Sequence, residues 1–218
     1  MSCTVNPAAG RERYYEIKPV PKAKKVMVAG GGIAGMEAAR IATMRGHNVT
    51  LYESTKELGG EVVPGSVPDF KVDDRRLLEW YKNEMKELKI KTIFNTEVTE
   101  ALVEREKPDV IIIATGAKDI KLNLPGMEKD KVATAVEILN GGKQAGGNVV
   151  VVGGGLVGCE TALYLAKQGK QVTIIEARDR ILNSGKPVPH MNKIMLIDLL
   201  EKYNIKTITG NSLLEVTE

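Results

Sequence analysis

Residues 26–35 read VMVAGGGIAG and residues 149–158 read VVVVGGGLVG, so one chain carries the same phrase twice, 123 residues apart. An apolar strand that runs through a glycine turn into a helix gathers free backbone N–H groups and the positive end of a helix dipole at one point. Such a point attracts phosphate. In the dinucleotide form, the first glycine makes the turn, the second admits the pyrophosphate and the third lets helix and strand pack closely. These roles fall to Gly30, Gly32 and Gly35 in the first copy and to Gly153, Gly155 and Gly158 in the second. Ile33 and Ala34, and likewise Leu156 and Val157, supply the opening N–H groups of the two helices.

With 22 glycines in 218 residues, a lone glycine pattern carries little weight and context must decide. Each copy continues into a helical segment, MEAARIATMRG or CETALYLAKQG, that ends on a glycine suited to a C-terminal cap. A second strand follows each, NVTLYE and QVTIIE. Each ends in an acid 23 residues beyond its first glycine, Glu53 and Glu176. An acid at that strand tip accepts hydrogen bonds from the ribose of a bound dinucleotide.

The repeat predicts an α/β fold of two Rossmann-like dinucleotide-binding units with parallel sheets, the second inserted in or following the first. Residues 1–25, with Pro7, Pro19 and Pro21, read as an extended connector. Residues 26–118 and 119–218 form the two units. In the first, 57–70 reads as a loop. A helix follows from 73, with Asp73 as N-cap and Leu77, Tyr81, Met85 and Leu88 along one face. Residues 90–94 and 108–117 read as strands, the latter fully buried. An irregular crossover with Pro125 and Gly126 leads to the second unit, which ends with a helix at 190–203 and a strand at 205–208. That tail repeats the first half at an offset of 115 rather than 123, placing eight extra residues of the first half near Gly59 and Gly60.

A formal charge of +3 gives little direction on partners. The short KAKK run at 22–25 lacks interleaved aromatics and reads as a solvated linker rather than a nucleic-acid site. No apolar run approaches the ~20 residues that span a bilayer, and no signal-peptide pattern opens the sequence, so a cytoplasmic location is expected. Cys3 and Cys159 are too far apart for a C-x-x-C pattern. Cys159 reads as a small buried residue, and His47 and His190 as surface or connector residues. No side chain reads as an acid–base catalyst.

Parallel sheets bind ligands beyond the carboxyl ends of their strands. There Glu53, the Gly59-Gly60 loop and Ala114-Thr115-Gly116 should gather. The enlarged first loop gives more cover, which suits FAD in the first site and NAD(H) in the second. A carboxylate at Glu176 held ~4 Å from a 2′-phosphate costs on the order of 4 kcal/mol at an effective dielectric of 20. NADH is therefore expected over NADPH, although Arg178 and Arg180 could partly cancel that repulsion.

These residues resemble the two-dinucleotide flavoprotein superfamily. Within it they resemble the carboxyl-terminal part of enzymes similar to 2,4-dienoyl-CoA reductase, 2-enoate reductase and trimethylamine dehydrogenase. The resemblance runs through VMVAGGGIAGMEAARIA with Glu53, ELGGE, NTEVT, VIIIATGA and VVVVGGGLVGCETALYLA with Glu176. It implies that the backbone around Val98 contacts adenine, that Gly60 lies near the flavin and that Thr115 sits on the turn beside it. The opening CTVNPAAGRE looks like the end of that family's iron–sulfur segment, with Cys3 as the last of four ligands. A 4Fe-4S cluster and an FMN barrel would then belong only to the intact polypeptide, and this chain would be a fragment.

The resemblance implies an electron-entry module, in which NADH reduces FAD and electrons continue to the cluster and barrel. Small-molecule nucleotides and the missing barrel are the expected partners. A homo-oligomer of the intact protein is left open, as is a non-catalytic module holding ADP as a structural ligand. A thiol–disulfide reductase needs a cysteine pair beside the flavin. The sequence has none.

Overall fold

The computed structural model describes residues 3, 6, 8–120, 122–183 and 188–218. The chain divides into two compact units, Met1–Lys118 and Asp119–Glu218.

In the first unit, β1 (Lys25–Ala29), α1 (Ile33–Met44) and β2 (Asn48–Tyr52) form a strand–helix–strand module, with Lys25 opposite Asn48 and Ala29 opposite Tyr52 in parallel register. The module continues through α2 (Val62–Gly65), α3 (Val72–Glu87), β3 (Lys91–Ile93), α4 (Glu100–Glu106) and β4 (Val110–Ile113). The strands lie side by side in the order β3-β2-β1-β4, all parallel. This is half of the doubly wound arrangement, with β1 central.

Alternation along β1 divides the core. Val26 and Val28 face α1 and α3, where they pack with Met36, Ala39, Leu51, Leu78, Tyr81 and Met85. Met27 faces α4 and packs with Tyr52 and Leu102. Thr99 caps α4 by accepting the N–H of Leu102 at 3.3 Å, and Lys107 closes the helix in the left-handed region.

The second unit holds α5 (Ala135–Leu139), β5 (Asn148–Val152), α6 (Leu156–Lys167), β6 (Gln171–Glu176), α7 (His190–Lys202) and β7 (Lys206–Thr209). Its sheet has the parallel order β5-β6-β7. The buried faces of α6, β6 and α7 meet through Cys159, Ala162, Leu163, Ile174, Leu196 and Leu200. Among the described residues, no helix is long and apolar enough to cross a membrane.

Five local expectations need correction. The 57–70 segment contains α2 and a 3-10 turn at Asp69–Lys71. Pro64 is tolerated in α2 because first-turn N–H groups have no helical partner in any case. Lys71, not Asp73, is the N-cap of α3; the turn runs directly into the helix, and Asp73 pairs with Arg76 at 3.2 Å within the first turn. Leu78, rather than Leu77, is the deeply buried partner of Tyr81 and Met85.

The strand β4 is not fully buried. Val110 and Ile112 pack against the core, while Ile111 and Ile113 are 39% and 79% exposed. β4 lies at the sheet edge, and the small cluster under α4 does not extend to these two residues. The crossover also contains a helix, α5, fixed by a capping box. Thr134 Oγ1 accepts the N–H of Glu137 at 3.2 Å, and Glu137 Oε2 accepts the N–H of Thr134 at 2.7 Å.

Candidate functional site: two glycine cradles latched by carboxylates

The first cradle forms where β1 hands the chain to α1. Gly30 has φ of 106°, and a Cβ there would lie 2.3 Å from the Ala114 carbonyl oxygen. Only glycine satisfies both demands. At Gly35 a Cβ would lie 1.8 Å from the Gly30 carbonyl oxygen, so the third glycine lets α1 close onto the turn. Gly32 differs from both. It is the N-cap of α1 with φ of −70°, and the nearest atom to a Cβ there is 4.0 Å away. Its surroundings are open, and the N–H groups of Gly32, Ile33 and Ala34 stand at the helix terminus, where no intrahelical partner exists.

Glu53 latches this turn. Its Oε2 accepts the N–H of Gly31 at 2.6 Å, and its Oε1 accepts the N–H of Thr55 at 2.7 Å and the Ser54 hydroxyl at 3.3 Å. The residue is buried. Burial alone would push its pKa up, but the hydrogen bonds from Thr55 and Gly31 win and hold it below the ordinary carboxylate value. Oε2, which takes the Gly31 N–H alone, retains a second lone-pair direction, so the latched acid can still accept from a ribose hydroxyl.

The Gly59-Gly60 loop closes on the same point. Gly59 donates to the Gly31 carbonyl at 2.9 Å and forms a parallel bridge with Gly32. A Cβ on Gly60 would come within 3.2 Å of the Gly32 Cα. Ala114 abuts Gly30, while Thr115 and Gly116 follow β4 as exposed residues. Val98 is half-buried against the cluster of Met27, Tyr52 and Leu102. The structure therefore brings Glu53, Gly59, Gly60 and Ala114 against the glycine turn.

The second cradle repeats these bonds within its own unit. Gly153 donates to Ile175 as Gly30 does to Tyr52, both at 2.8 Å. Glu176 Oε2 accepts the N–H of Gly154 at 2.6 Å, and its Oε1 accepts the N–H of Arg178 at 2.9 Å. Leu182 donates to the Gly154 carbonyl at 2.7 Å, in the place of Gly59. At Gly158 a Cβ would lie 1.9 Å from the Gly153 carbonyl oxygen. Gly155, the N-cap of α6 with φ of −73°, matches Gly32, and Leu156 and Val157 open the helix. Unlike Gly30, Gly153 has nothing within 4 Å of its Cβ position. Among the described residues of this unit, β5 has no neighbour matching β4.

The middle glycines, Gly31 and Gly154, were not singled out in the sequence, yet they hold the acids. The signal was present in the unbroken GGG of each copy. At Gly31 a Cβ would fall 2.9 Å from Glu53 Oε2, and at Gly154 it would fall 3.1 Å from the Glu176 Cβ. Arg178 sends its guanidinium to the Asn183 carbonyl, and Arg180 pairs with Asp179 at 3.6 Å. Among the described residues neither arginine pairs with Glu176.

The eight additional residues of the first half are divided between two elements. Five lie between Glu53 and the start of α3, in the segment that carries α2, and three lengthen α3 relative to α7. Cys3 is exposed, and among the described residues no group of acids, histidines and cysteines could hold a metal. His47 Nδ1 accepts the N–H of Lys24 at 3.1 Å, and His190 is the exposed first residue of α7.

Both cradles are lined by backbone donors, keep side chains out at Gly32 and Gly155, and place a carboxylate behind the turn. That donor set fits the pyrophosphate and ribose of a dinucleotide. The chain is 47% identical over 212 residues to cinnamate reductase of Clostridium sporogenes, covering 97% of this chain and 31% of that protein. It is 38% identical to bilirubin reductase of Mediterraneibacter gnavus, covering all of this chain and 33% of the other. The solved structure of a 2-naphthoyl-CoA reductase matches the whole chain with a TM-score of 0.91 at 37% identity, over 33% of its own length. The chain thus spans about a third of the length of these relatives. Residues 24–218 match the family model described as pyridine nucleotide-disulphide oxidoreductase, and the chain belongs to that family of FAD- and NAD(P)H-binding oxidoreductases.

Proposed function

We propose that this chain is the electron-entry part of a larger NADH-dependent flavin reductase, with FAD in the first cradle and NADH in the second. The observation that carries this reading is the duplicated latch, Glu53 on Gly31 and Glu176 on Gly154, each at 2.6 Å. Two such sites in one chain suit a donor and an acceptor cofactor. When bound, the pair supplies hydride transfer from nicotinamide to flavin.

The chain's own residues bind and orient. Gly32, Ile33 and Ala34 would hold the FAD pyrophosphate, with Glu53 on its ribose. Gly59, Gly60, Ala114, Thr115 and Gly116 would line the path toward the flavin, and the backbone at Val98 would meet adenine. Gly155, Leu156 and Val157 would hold the NADH pyrophosphate, with Glu176 on its ribose. The carboxylate of Glu176 favours NADH because a 2′-phosphate would meet a like charge. The carboxylates of Glu53 and Glu176 are engaged as hydrogen-bond acceptors, so the protein contributes position and electrostatics rather than proton transfer.

The remaining two thirds of the relatives' length leaves room for further redox centres. We place a 4Fe-4S cluster, with Cys3 as one ligand, and an FMN barrel in the longer polypeptide, where they would supply onward one-electron transfer. Within this chain no cysteine pair is available to relay electrons, since the sequence holds only Cys3 and Cys159. Cys159 is sealed in the core.

Anaerobic addition of NADH to the FAD-reconstituted chain tests the proposal. Loss of the yellow flavin absorbance is expected. A colourless protein that retains ADP and takes up no FAD would instead assign the first cradle a structural nucleotide.

A further inference from the structure

Cys159 lies in the first turn of α6 and is completely buried. Its Sγ donates to the Gly154 carbonyl at 3.4 Å, the same oxygen that accepts the Leu182 N–H at 2.7 Å. The corresponding residue of the first cradle is Met36, equally buried. A thioether has no proton to give. Among the described residues, the Gly31 carbonyl accepts only the Gly59 N–H. The thiol bond to the glycine carbonyl thus has no counterpart in the first cradle, although both share the acid-to-glycine latch.

The peptide that carries the Gly154 carbonyl also carries the Gly155 N–H. Among the described residues there is no cis peptide. A trans peptide points its C=O and N–H in opposite directions. Holding the carbonyl inward therefore holds the Gly155 N–H outward, at the N-cap of α6, where no described residue accepts it.

We propose that Cys159 is a positioning residue of the second cradle: its thiol fixes the 154–155 peptide so that the Gly155 N–H faces the pyrophosphate of the bound dinucleotide. The role rests on reading this cradle as the pyridine-nucleotide site. It requires a protonated thiol. Burial, followed by the charges of Glu176 and Glu160, pushes the Cys159 pKa up to about 12, so the proton is present at neutral pH.

The test compares ADP-ribose binding to wild type, Cys159→Ala and Cys159→Ser. ADP-ribose keeps the pyrophosphate and lacks the nicotinamide ring. Loss of one hydrogen bond predicts about three- to tenfold weaker binding for the alanine variant, and a serine hydroxyl that donates to the same carbonyl keeps affinity within about twofold. Packing alone predicts the reverse order, because a buried hydroxyl is costlier than a methyl group. Equal affinities for the two variants, or tighter binding by alanine, would overturn the proposal.

Should wild type bind no ADP-ribose, the nucleotide reading of the cradle fails separately. The Gly155 amide resonance of the ligand-free protein then decides the thiol's role. A shift in Cys159→Ala that returns toward wild type in Cys159→Ser supports it, and an unmoved resonance overturns it.

Discussion

Glu53 and Gly31 are joined by a 2.6 Å hydrogen bond from the backbone nitrogen to Oε2, buried behind the first glycine turn. The acid belongs to the end of one strand and the glycine to the end of its neighbour. The bond therefore clamps β1 and β2 at the point where a ligand would enter, coupling stability to binding.

Glu53→Gln replaces one acceptor oxygen with an NH₂ group that must face either the Gly31 or the Thr55 N–H. Loss of a charge-assisted bond predicts about 1–3 kcal/mol of destabilisation, read as a lower denaturation midpoint. The pH profile gives a second measurement. Because the folded pKa lies below the ordinary 4.5, the wild-type acid stabilises above that value, and its contribution is lost as pH falls through the lowered folded pKa. The glutamine variant should show a flatter acid limb; an unchanged limb would remove Glu53 from this role.

Gly35→Ala and Gly32→Ala should separate folding from binding. The first places a methyl 1.8 Å from the Gly30 carbonyl oxygen, so helix and turn must part and thermal stability should drop by several kcal/mol. The second adds a methyl in open space at ordinary φ, so its unfolding free energy should stay within about 0.5 kcal/mol of wild type. FAD affinity, measured by fluorescence titration, should nevertheless fall at least tenfold, on the order of the 1.4 kcal/mol from displacing one phosphate contact.

Glu176→Gln removes the charge to which we assign the proposed preference for NADH. The ratio of dissociation constants for NADPH and NADH should shrink by at least an order of magnitude, a fraction of the ~4 kcal/mol unscreened repulsion. Parallel titrations with the two cofactors provide the check. An unchanged ratio would move the discrimination to the arginines of the following loop.

The two cysteines should differ in reactivity. Cys3 is exposed, whereas the neutral, buried Cys159 has little thiolate and no access. A thiol reagent should titrate one equivalent in the native protein and two after denaturation. Raised from 9.0 to about 12, the Cys159 pKa also makes this residue's contribution full below pH 9 and progressively lost above it. Cys159→Ala should accordingly flatten the alkaline stability limb.

Much of the architecture could be read from residue order because both levels of signal repeat. Glycine spacing, apolar strands and an acid 23 residues on occur twice, and each feature constrains the others. The middle glycines escaped notice because the familiar pattern assigns them no role; their function depends on a carboxylate more than twenty residues away. The helix α5 was missed for a different reason. Its five residues are too few for periodicity, and only the Thr134/Glu137 pair marks its start. For β4, an unbroken apolar run suggested burial on both faces, but a run of isoleucines does not report how far a neighbouring helix extends.

Leu182 occupies the left-handed region, with φ of 53°, where the first cradle uses Gly59. For a leucine that backbone is strained by roughly 1–2 kcal/mol, and the side chain stays put because it is packed into the core. The second loop is thus a loaded spring held by a hydrophobic catch. Since the same residue's N–H donates to the Gly154 carbonyl, the packing of one leucine side chain and the geometry of the second glycine turn are tied together.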